Sequence, residues 1–289
     1  MSPSARYRGR FAPSPTGPLH FGSLVAALGS WLIARHHDGE WLVRIEDIDP
    51  PREIAGAARQ QVETLKAFGL HPDEPVLWQS ARGEAYAAAL ARLVDAGHAF
   101  ECRCSRSDLA ADAGVHRGCV ASDAKRQPAI RLRVGDERVG FNDVIQGRFE
   151  QIAREQIGDV VLRRADGLWA YQLAVVVDDA AQAITEVVRG ADLLDSTPRQ
   201  ILLQRALGLR TPTYAHLPLV VDAQGRKLSK SCEARPVDPD DPLPALQHAL
   251  SVLGQDSRAI LGSGNVEIAL RRALDEFDPS AIPKAATAG

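Results

Sequence analysis

Residues 10–22 read RFAPSPTGPLHFG, and they decide how the chain around them folds. Three prolines and two glycines lie within these thirteen residues, so the stretch predicts a shaped turn rather than a strand interior. Residues 7–12 favour a short strand, and residues 23–36 favour a helix with apolar side chains at helical spacing. The start of such a helix attracts anions, and His20 is placed there to donate to a phosphate. The alternative is a proline-rich turn with a buried histidine.

A second stretch, KLSKS at residues 227–231, supports the phosphate interpretation. This clamp segment contains two lysines and two serines and no acidic residue, which is typical of a mobile phosphate clamp. Neither stretch is specific alone. Their occurrence in this order in one chain favours phosphate binding strongly over two unrelated turns.

Length and composition exclude several classes of protein. The 289 residues are 45% hydrophobic and 25% charged, as in a globular protein with a sizeable core. No apolar run is long enough to span a membrane, and the N-terminal MSPSAR lacks the core of a signal peptide. We therefore expect a cytoplasmic protein that does not contact membranes. The net charge of −3 excludes a globally basic nucleic-acid binder, so any RNA contact must use local patches.

Alternating strand and helix patterns predict an α/β protein with a parallel sheet and right-handed crossovers. The first half alternates strand and helix over residues 7–12, 23–36, 40–45, 53–68, 76–79 and 81–96. The core pattern resumes as helix, strand, helix and strand over residues 171–179, 184–189, 197–207 and 217–221. Between these halves, β-rich segments predict a small inserted subdomain, with strands over 98–102, 130–134, 139–144 and 160–163. Short helices are predicted over 245–253 and 266–277, with a disordered tail from 281.

Two charged residues lie at the carboxyl ends of predicted strands, at the edge where α/β proteins bind ligands. Glu46 follows the strand at 40–45 and can receive an amino group. Arg189 ends the strand at 184–189, and its planar fork suits a carboxylate. The alternative for Arg189 is a structural ion pair. Asp49 is expected to cap the next helix.

Three cysteines and one histidine in the inserted region have metal-ligand spacing. Cys102-x-Cys104 is followed by His116-x-x-Cys119. Thiolate and imidazole ligands suit a structural Zn²⁺, and the polar segment between them needs such a closure to fold. The alternative is three unpaired thiols and a surface histidine. Cys232 stands alone and is not expected to be a ligand.

Arginines are frequent in the inserted region and could line an RNA backbone. For any single one, a solvent-facing position is the simpler interpretation. The residues concerned are Arg131, Arg133, Arg148, Arg163 and Arg164.

Several stretches together resemble the class I aminoacyl-tRNA synthetases. His20 to Ser23 is similar to the HIGH signature of that class, and the clamp segment is similar to its KMSKS loop, with Leu228 where methionine is common. Four further stretches narrow the resemblance to the glutamyl branch: FAPSPTGPLH at 11–20, RIEDID at 44–49, VVVDD at 175–179 and RGAD at 189–192.

The resemblance implies a domain organisation. A Rossmann-like catalytic domain would occupy residues 1–97 and 171–235, interrupted by an acceptor-binding-like subdomain with the zinc site at 98–170. Residues 236–289 would form a short helical region. Only 58 residues follow Ser231, too few for the helical anticodon-binding region of a glutamyl-tRNA synthetase. Within the branch, the chain is therefore similar to the glutamyl-queuosine tRNA(Asp) synthetases.

The resemblance also implies roles for individual residues. Glutamate would be bound by Arg10, Ser14, Glu46, Tyr171 and Arg189. ATP, entering with Mg²⁺, would be bound by His20, Gly22 and Lys230, with His20, Lys227 and Lys230 as catalytic residues. Zinc would be held by Cys102, Cys104, His116 and Cys119, where family members often have tyrosine in place of His116.

The implied activity has two steps on a monomeric enzyme. Glutamate is activated by ATP to glutamyl-adenylate without tRNA, and the glutamyl group is then transferred to the queuosine base in the anticodon of tRNA(Asp). Three alternatives remain. They are a short glutamyl-tRNA synthetase that charges a tRNA 3′ end, an RNA-binding paralogue without catalysis, and a ligase acting on a small molecule.

Overall fold

The computed structural model describes residues 6–219 and 236–284. The clamp segment at 227–231 and Cys232 lie outside these residues, so the predictions for Lys227 and Lys230 concern undescribed positions. Across the two described ranges, no helix has the length and apolar character needed to span a membrane.

Three parallel strands and three helices form the first part of the chain. In order they are β1 (Arg8–Phe11), α1 (Phe21–His36), β2 (Glu40–Ile45), α2 (Ala57–Ala67), β3 (Leu77–Trp78) and α3 (Gly83–Asp95). β1 pairs with β2, and β2 pairs with β3, both in parallel. The helix predicted over 53–68 begins late, because Gly56 adopts a φ of +81° directly before Ala57.

Short antiparallel strands make up the inserted region. They are β4 (Ala99–Cys102), β5 (Ala129–Leu132), β6 (Arg138–Asp143), β7 (Gly147–Ile152) and β8 (Val160–Arg163). β4, β5 and β8 form one sheet, and β6 and β7 form a hairpin. β7 was not predicted from the sequence, because GRFEQI mixes apolar and charged residues. Its register against β6 determines its position.

The chain then returns to the parallel sheet. Its elements are α4 (Tyr171–Ala181), β9 (Glu186–Gly190), α5 (Thr197–Leu207) and β10 (Thr213–Leu217). β9 and β10 pair in parallel, and the backbone N–H of Thr185 donates to the carbonyl of Arg8 across 2.9 Å, which places β9 beside β1. The predicted α/β class with a parallel sheet is confirmed.

The predicted bounds of the last strand were wrong. The apolar run LPLVV suggested a strand over 217–221, but β10 covers Thr213–Leu217 and ends before Pro218. Proline has no N–H to donate to a neighbouring strand, whereas residues 213–217 pair fully with β9. Residues 220 and 221 lie outside the described part of the chain.

Two C-terminal helices, α6 (Pro242–Val252) and α7 (Val266–Asp275), complete the described fold. They share a hydrophobic core with α1, β1 and β2. Gly29 of α1 lies so near Leu217 that an added Cβ would come within 2.7 Å of that side chain. Ile282 is 6% exposed in this core, so the disorder predicted from residue 281 is wrong for residues 281–284.

A second hydrophobic core connects the inserted region to the rest of the chain. Leu132, Phe141 and Val160 of the insert pack in one cluster with apolar residues of α3, α4 and α5. The proposed division into domains stays a prediction. This shared core nevertheless holds the β6–β7 hairpin against the parallel sheet.

Candidate functional site

One large cavity of about 1240 Å³ lies at the carboxyl ends of the parallel strands. All seven described residues predicted to bind glutamate or ATP line it, namely Arg10, Ser14, His20, Gly22, Glu46, Tyr171 and Arg189. Ligands of open α/β sheets bind at this edge. The cavity extends to Cys104 and Asp159 of the inserted region.

The turn between β1 and α1 forms one wall. Gln61 of α2 donates to the carbonyls of Ser14 and Gly17 across 3.2 and 2.7 Å, and the N–H of Glu46 donates to the carbonyl of Pro13. Gly17 has a φ of +148°, which a residue with a side chain rarely adopts. The turn is therefore fixed from two neighbouring elements.

His20 forms the N-terminal cap of α1. Its Nδ1 accepts from the N–H of Ser23 across 3.3 Å, and its Nε2 lies 3.0 Å from the Ser23 hydroxyl. The helix start beside it carries the partial positive charge that favours phosphate groups. His20 also forms an isolated antiparallel β-bridge with Pro236, and Leu219 lines the cavity. The described residues that flank positions 220–235 therefore both lie at this site.

A buried charge cluster also borders the cavity. Arg10 binds Asp179 through two hydrogen bonds of 3.0 and 3.4 Å, and Arg44 approaches the same carboxylate at 2.8 Å. Arg44 also lies 3.6 Å from Glu46. Both arginines and both carboxylates are buried, so each charge depends on the others for compensation.

Glu46 is the carboxylate of this cluster that lines the cavity. It is 8% exposed, and its Oε1 has no hydrogen-bond partner among the described residues. Burial raises the pKa of Glu46 to about 7, against the opposing effect of Arg44 and Arg10. A buried carboxylate on a cavity wall is suited to receive an ammonium group.

Arg189 is held by neutral groups. It donates to Tyr171 Oη at 3.3 Å, to Thr197 Oγ1 at 2.8 Å, to the carbonyl of Leu193 at 3.3 Å and to His216 Nε2 at 3.1 Å. Within the part of the chain that the structure describes, no carboxylate forms an ion pair with it. The alternative of a structural ion pair is therefore not supported, and the guanidinium charge is available to a ligand.

Other sequence predictions have mixed outcomes. Asp49 does not cap a helix through its side chain; it binds Arg52 and Arg164 instead. Arg131 is buried and donates to the carbonyl of Asp159, so a solvent-facing position is wrong for it. Arg163 and Arg133 lie over aromatic rings, and Arg148 pairs with Glu150.

The four predicted metal ligands come together in the inserted region. One ligand atom from each of Cys102, Cys104, His116 and Cys119 lies within 4.8 Å of the others. Three of these residues are buried, and Cys119 is exposed. Such a set could hold a metal ion.

Asp159 orients the histidine of this cluster. Its Oδ2 lies 2.8 Å from His116 Nδ1, and the His116 Nε2 lies 3.1 Å from Cys102 Sγ. The carboxylate favours a proton on Nδ1, which leaves the Nε2 lone pair towards the thiols. Backbone N–H groups of Cys104 and Val120 also donate to cysteine sulfurs. The arrangement fits a bound cation.

Sequence reasoning missed four residues that support the site: Arg44, Asp143, Asp179 and His216. Arg44 and Asp179 stood within stretches quoted for the family resemblance, which was the only available signal. Asp143 and His216 had none, because their partnership joins two strands 73 residues apart.

Comparisons with known proteins agree with this geometry. The family model for class I tRNA synthetases (E and Q), catalytic domain, matches residues 6–242. The Glutamyl-Q tRNA(Asp) synthetase of Xanthomonas campestris pv. campestris (strain 8004) is 61% identical over 285 residues, covering 98% of this chain and 96% of that protein. The protein of the same name from Burkholderia cenocepacia (strain HI2424) is 52% identical over 293 residues, covering 96% and 98%.

Among solved structures, the fold is similar to that of a glutamate tRNA ligase from Elizabethkingia meningosepticum, crystallised in complex with its amino acid. The TM-score is 0.78 at 26% sequence identity. The match covers 97% of this chain and 66% of the ligase.

Proposed function

Because this chain belongs to the glutamyl-Q tRNA(Asp) synthetases, within the class I tRNA synthetases, we propose that it activates glutamate with ATP and transfers it to queuosine in tRNA(Asp). The observation that carries the proposal is the charge arrangement of the cavity. A buried carboxylate, an arginine that has no ion pair among the described residues, and a helix N-terminus line the same space. They complement the ammonium, carboxylate and phosphate groups of the two substrates.

Glutamate would bind at the buried charge cluster. Glu46 would accept from the ammonium group, and Arg189 with Tyr171 would bind one carboxylate. Arg10 would contribute positive potential while retaining Asp179, and the Ser14 turn would close the wall. The α-carboxylate then attacks the α-phosphorus of ATP, pyrophosphate leaves, and glutamyl-adenylate remains.

ATP would bind at the α1 end. His20 and Gly22 lie beside the helix start, and Lys227 and Lys230 would stabilise charge on the phosphates, with Mg²⁺ entering on ATP. No protein nucleophile is required, so catalysis would consist of positioning and charge stabilisation. In the second step, a hydroxyl of the queuosine cyclopentene diol attacks the activated carbonyl, and AMP leaves as the hydroxyl proton is lost.

The acceptor is tested with labelled glutamate and three RNAs. They are a queuosine-containing tRNA(Asp) stem-loop, the same stem-loop with guanosine in that position, and tRNA(Glu) with a free 3′ end. We expect label only on the queuosine stem-loop. Label on tRNA(Glu) alone would identify a short glutamyl-tRNA synthetase, and pyrophosphate exchange that requires tRNA would contradict activation without RNA.

We also propose that Cys102, Cys104, His116 and Cys119 hold one structural Zn²⁺ per chain. The ion would connect the ends of a polar segment whose own buried apolar cluster is small, consisting of Cys102, Cys104 and Leu109. Metal analysis of protein purified without added zinc should give about one equivalent. Cys104→Ser should lose the metal, whereas the exposed-arginine variant Arg148→Gln should retain it. Substoichiometric zinc that Cys104→Ser leaves unchanged would contradict the assignment.

An enzyme with this substrate would act in the cytoplasm, where tRNA is modified. We propose that it does so as a monomer. Sedimentation at working concentration would test the second statement.

A further inference from the structure

We propose that Asp143 and His216 are positioning residues for the amino acid substrate. Asp143 fixes the tautomer of His216, and His216 in turn fixes the guanidinium of Arg189. This inference rests on the proposed role of Arg189 in binding a substrate carboxylate, and it adds two residues that do not themselves touch the substrate.

The three side chains form a continuous chain of hydrogen bonds. His216 Nδ1 lies 2.6 Å from Asp143 Oδ2, and Arg189 Nε donates to His216 Nε2 across 3.1 Å. The side chains of Asp143 and His216 are both 0% exposed. Arg189 lines the cavity, whereas neither of the other two is among its lining residues. Their influence on a ligand must therefore pass through Arg189.

Only one tautomer of His216 satisfies this pattern. Arginine Nε–H is always a donor, so His216 Nε2 must accept, and the ring proton must lie on Nδ1 facing Asp143. Burial lowers the pKa of His216, and nearby Arg189 adds to the effect against the hydrogen bond to Asp143, so the ring is neutral. Burial alone would raise the pKa of Asp143, but hydrogen bonds from His216 and from backbone N–H groups hold it below its ordinary value.

The second oxygen of Asp143 makes the carboxylate hard to replace. Asp143 Oδ1 accepts from the backbone N–H groups of Ile145, Gln146 and His216 at 3.0, 2.8 and 3.1 Å. In Asp143→Asn, the amide oxygen is required by these three donors, so the amide NH₂ must face His216 Nδ1. The histidine proton then moves to Nε2, where it opposes the Nε–H of Arg189. The substitution preserves shape but reverses the tautomer.

The arrangement connects the inserted region to the part of the cavity that Arg189 lines. Asp143 ends β6, His216 lies on β10, and Arg189 lies on β9. Gln146 donates to the carbonyl of His216 across 2.6 Å, and Val144 donates to that of Tyr214 across 2.9 Å. The turn of the β6–β7 hairpin is thus bound to the strand that carries the histidine.

The orientation of Arg189 determines which nitrogen meets the substrate. Nε is held by His216 and Nη2 by Thr197, which leaves Nη1 beside the Tyr171 hydroxyl for a carboxylate. Since that hydroxyl accepts from Nη1, its own proton remains available to the same carboxylate. Loss of the Nε contact would leave the guanidinium held mainly through Nη2, by Thr197 and the carbonyl of Leu193, so its orientation beside Tyr171 would be less strictly fixed.

The test is calorimetric titration of the full-length protein with glutamate and, separately, with ATP. Asp143→Asn should weaken glutamate binding by about tenfold or more, with ATP binding changed by less than about twofold. Asp108→Asn is the matched control, because Asp108 also accepts from two serines and an arginine but does not line the cavity. It should leave glutamate affinity within about twofold.

A double-mutant cycle separates positioning from general damage. Unlike a histidine ring, a glutamine amide does not exchange its donor and acceptor atoms by shifting a proton. In His216→Gln, the Oε1 atom can therefore accept from Arg189 whether residue 143 is aspartate or asparagine. Adding Asp143→Asn to that background should therefore cost less than about threefold in glutamate affinity. An equal cost in both backgrounds, or an equal loss for ATP and glutamate, would overturn the proposal.

A second pair of variants avoids reliance on the folding of Asp143→Asn. His216→Gln keeps an acceptor for Arg189 and should bind glutamate at least about tenfold more tightly than His216→Leu, which has none. Equal affinities of these two variants would overturn the proposal. Failure of the unsubstituted protein to bind glutamate would instead contradict the proposed function itself.

Discussion

The buried charge cluster with Arg189 and the cysteine–histidine cluster both bury polar atoms, but they are built in opposite ways. The first collects Arg10, Glu46, Asp179 and Arg189 from strands and a helix far apart in the sequence. The second takes its four ligands from residues 102–119. Arg10, Glu46 and Asp179 take part in ion pairs, and Arg189 is held by neutral groups, whereas the thiols of the second would depend on an ion. Substitutions in the first should therefore affect the substrate, and those in the second should affect local folding.

The largest effect is expected for Arg189→Gln. Removing this cavity guanidinium, which has no ion pair among the residues that the structure describes, would leave a substrate carboxylate buried without a charge partner, so kcat/KM for glutamate in pyrophosphate exchange should fall by about 10²–10³. The exposed Arg148→Gln is the control and should stay within about twofold. A loss confined to the KM for ATP would show that Arg189 serves the other substrate.

Glu46 gives the next largest effect and a pH dependence with a definite sign. Burial raises its pKa to about 7, so below that value the carboxyl is mostly protonated and cannot pair with an ammonium. Glutamate affinity should rise about tenfold between pH 6 and pH 8. Glu46→Gln should weaken binding by about 10² and remove the pH dependence. An unchanged slope in this variant would assign the titration to another group.

The contribution of Glu46 to the stability of the ligand-free protein should fall as pH rises, whereas its contribution to glutamate affinity should increase. The folded pKa lies above the ordinary value, so between about pH 4.5 and pH 7 the folded state binds more protons than the unfolded state. Without ligand, this residue therefore makes the protein less stable as pH rises through that window. Thermal unfolding of the wild type and Glu46→Gln across the window should show this contribution only in the wild type.

The two regions also differ in how far the sequence predicts them. The clustering of the four candidate metal ligands was predictable from spacing alone, because Cys102-x-Cys104 and His116-x-x-Cys119 are short local patterns. Glu46 and Arg189 were placed at the correct edge of the sheet because strands with helical crossovers determine which ends meet. Their supporting residues were not predictable in this way. Asp143 contacts His216 only because the β6–β7 hairpin, half of which the sequence did not reveal, packs against β10.

The error in the predicted bounds of β10 has the same origin. Hydrophobic runs indicate a strand but do not give its limits, which depend on the partner strand and on Pro218. His216 therefore fell outside the predicted strand at 217–221, and its inward position next to Arg189 could not be inferred. The charged residues that we propose to complement a ligand were recognisable in the sequence. Those that hold them depend on pairing between distant segments.

The smallest effect on activation is expected for Asp159→Asn, which tests whether the two regions are independent. Asp159 Oδ1 accepts from the N–H of Val134 at 2.8 Å, while its Oδ2 faces His116 Nδ1. In the variant, the amide oxygen would serve Val134, so the amide NH₂ would move the His116 proton to Nε2 and remove the metal-binding lone pair. Zinc affinity, measured by competition with a chelator, should fall about 10–100-fold.

Glutamate activation by the same variant should change less than about threefold, because the charge cluster around Glu46 contains no residue of the metal site. Asp136→Asn is the matched control, since that carboxylate is 84% exposed and lies 3.7 Å from Arg154. It should change neither property. Transfer to the queuosine stem-loop should decline with metal loss, because Cys104 and Asp159 also line the cavity. If activation instead fell in proportion to zinc content, the cluster would be part of the activation site, and the separation of the two regions would be wrong.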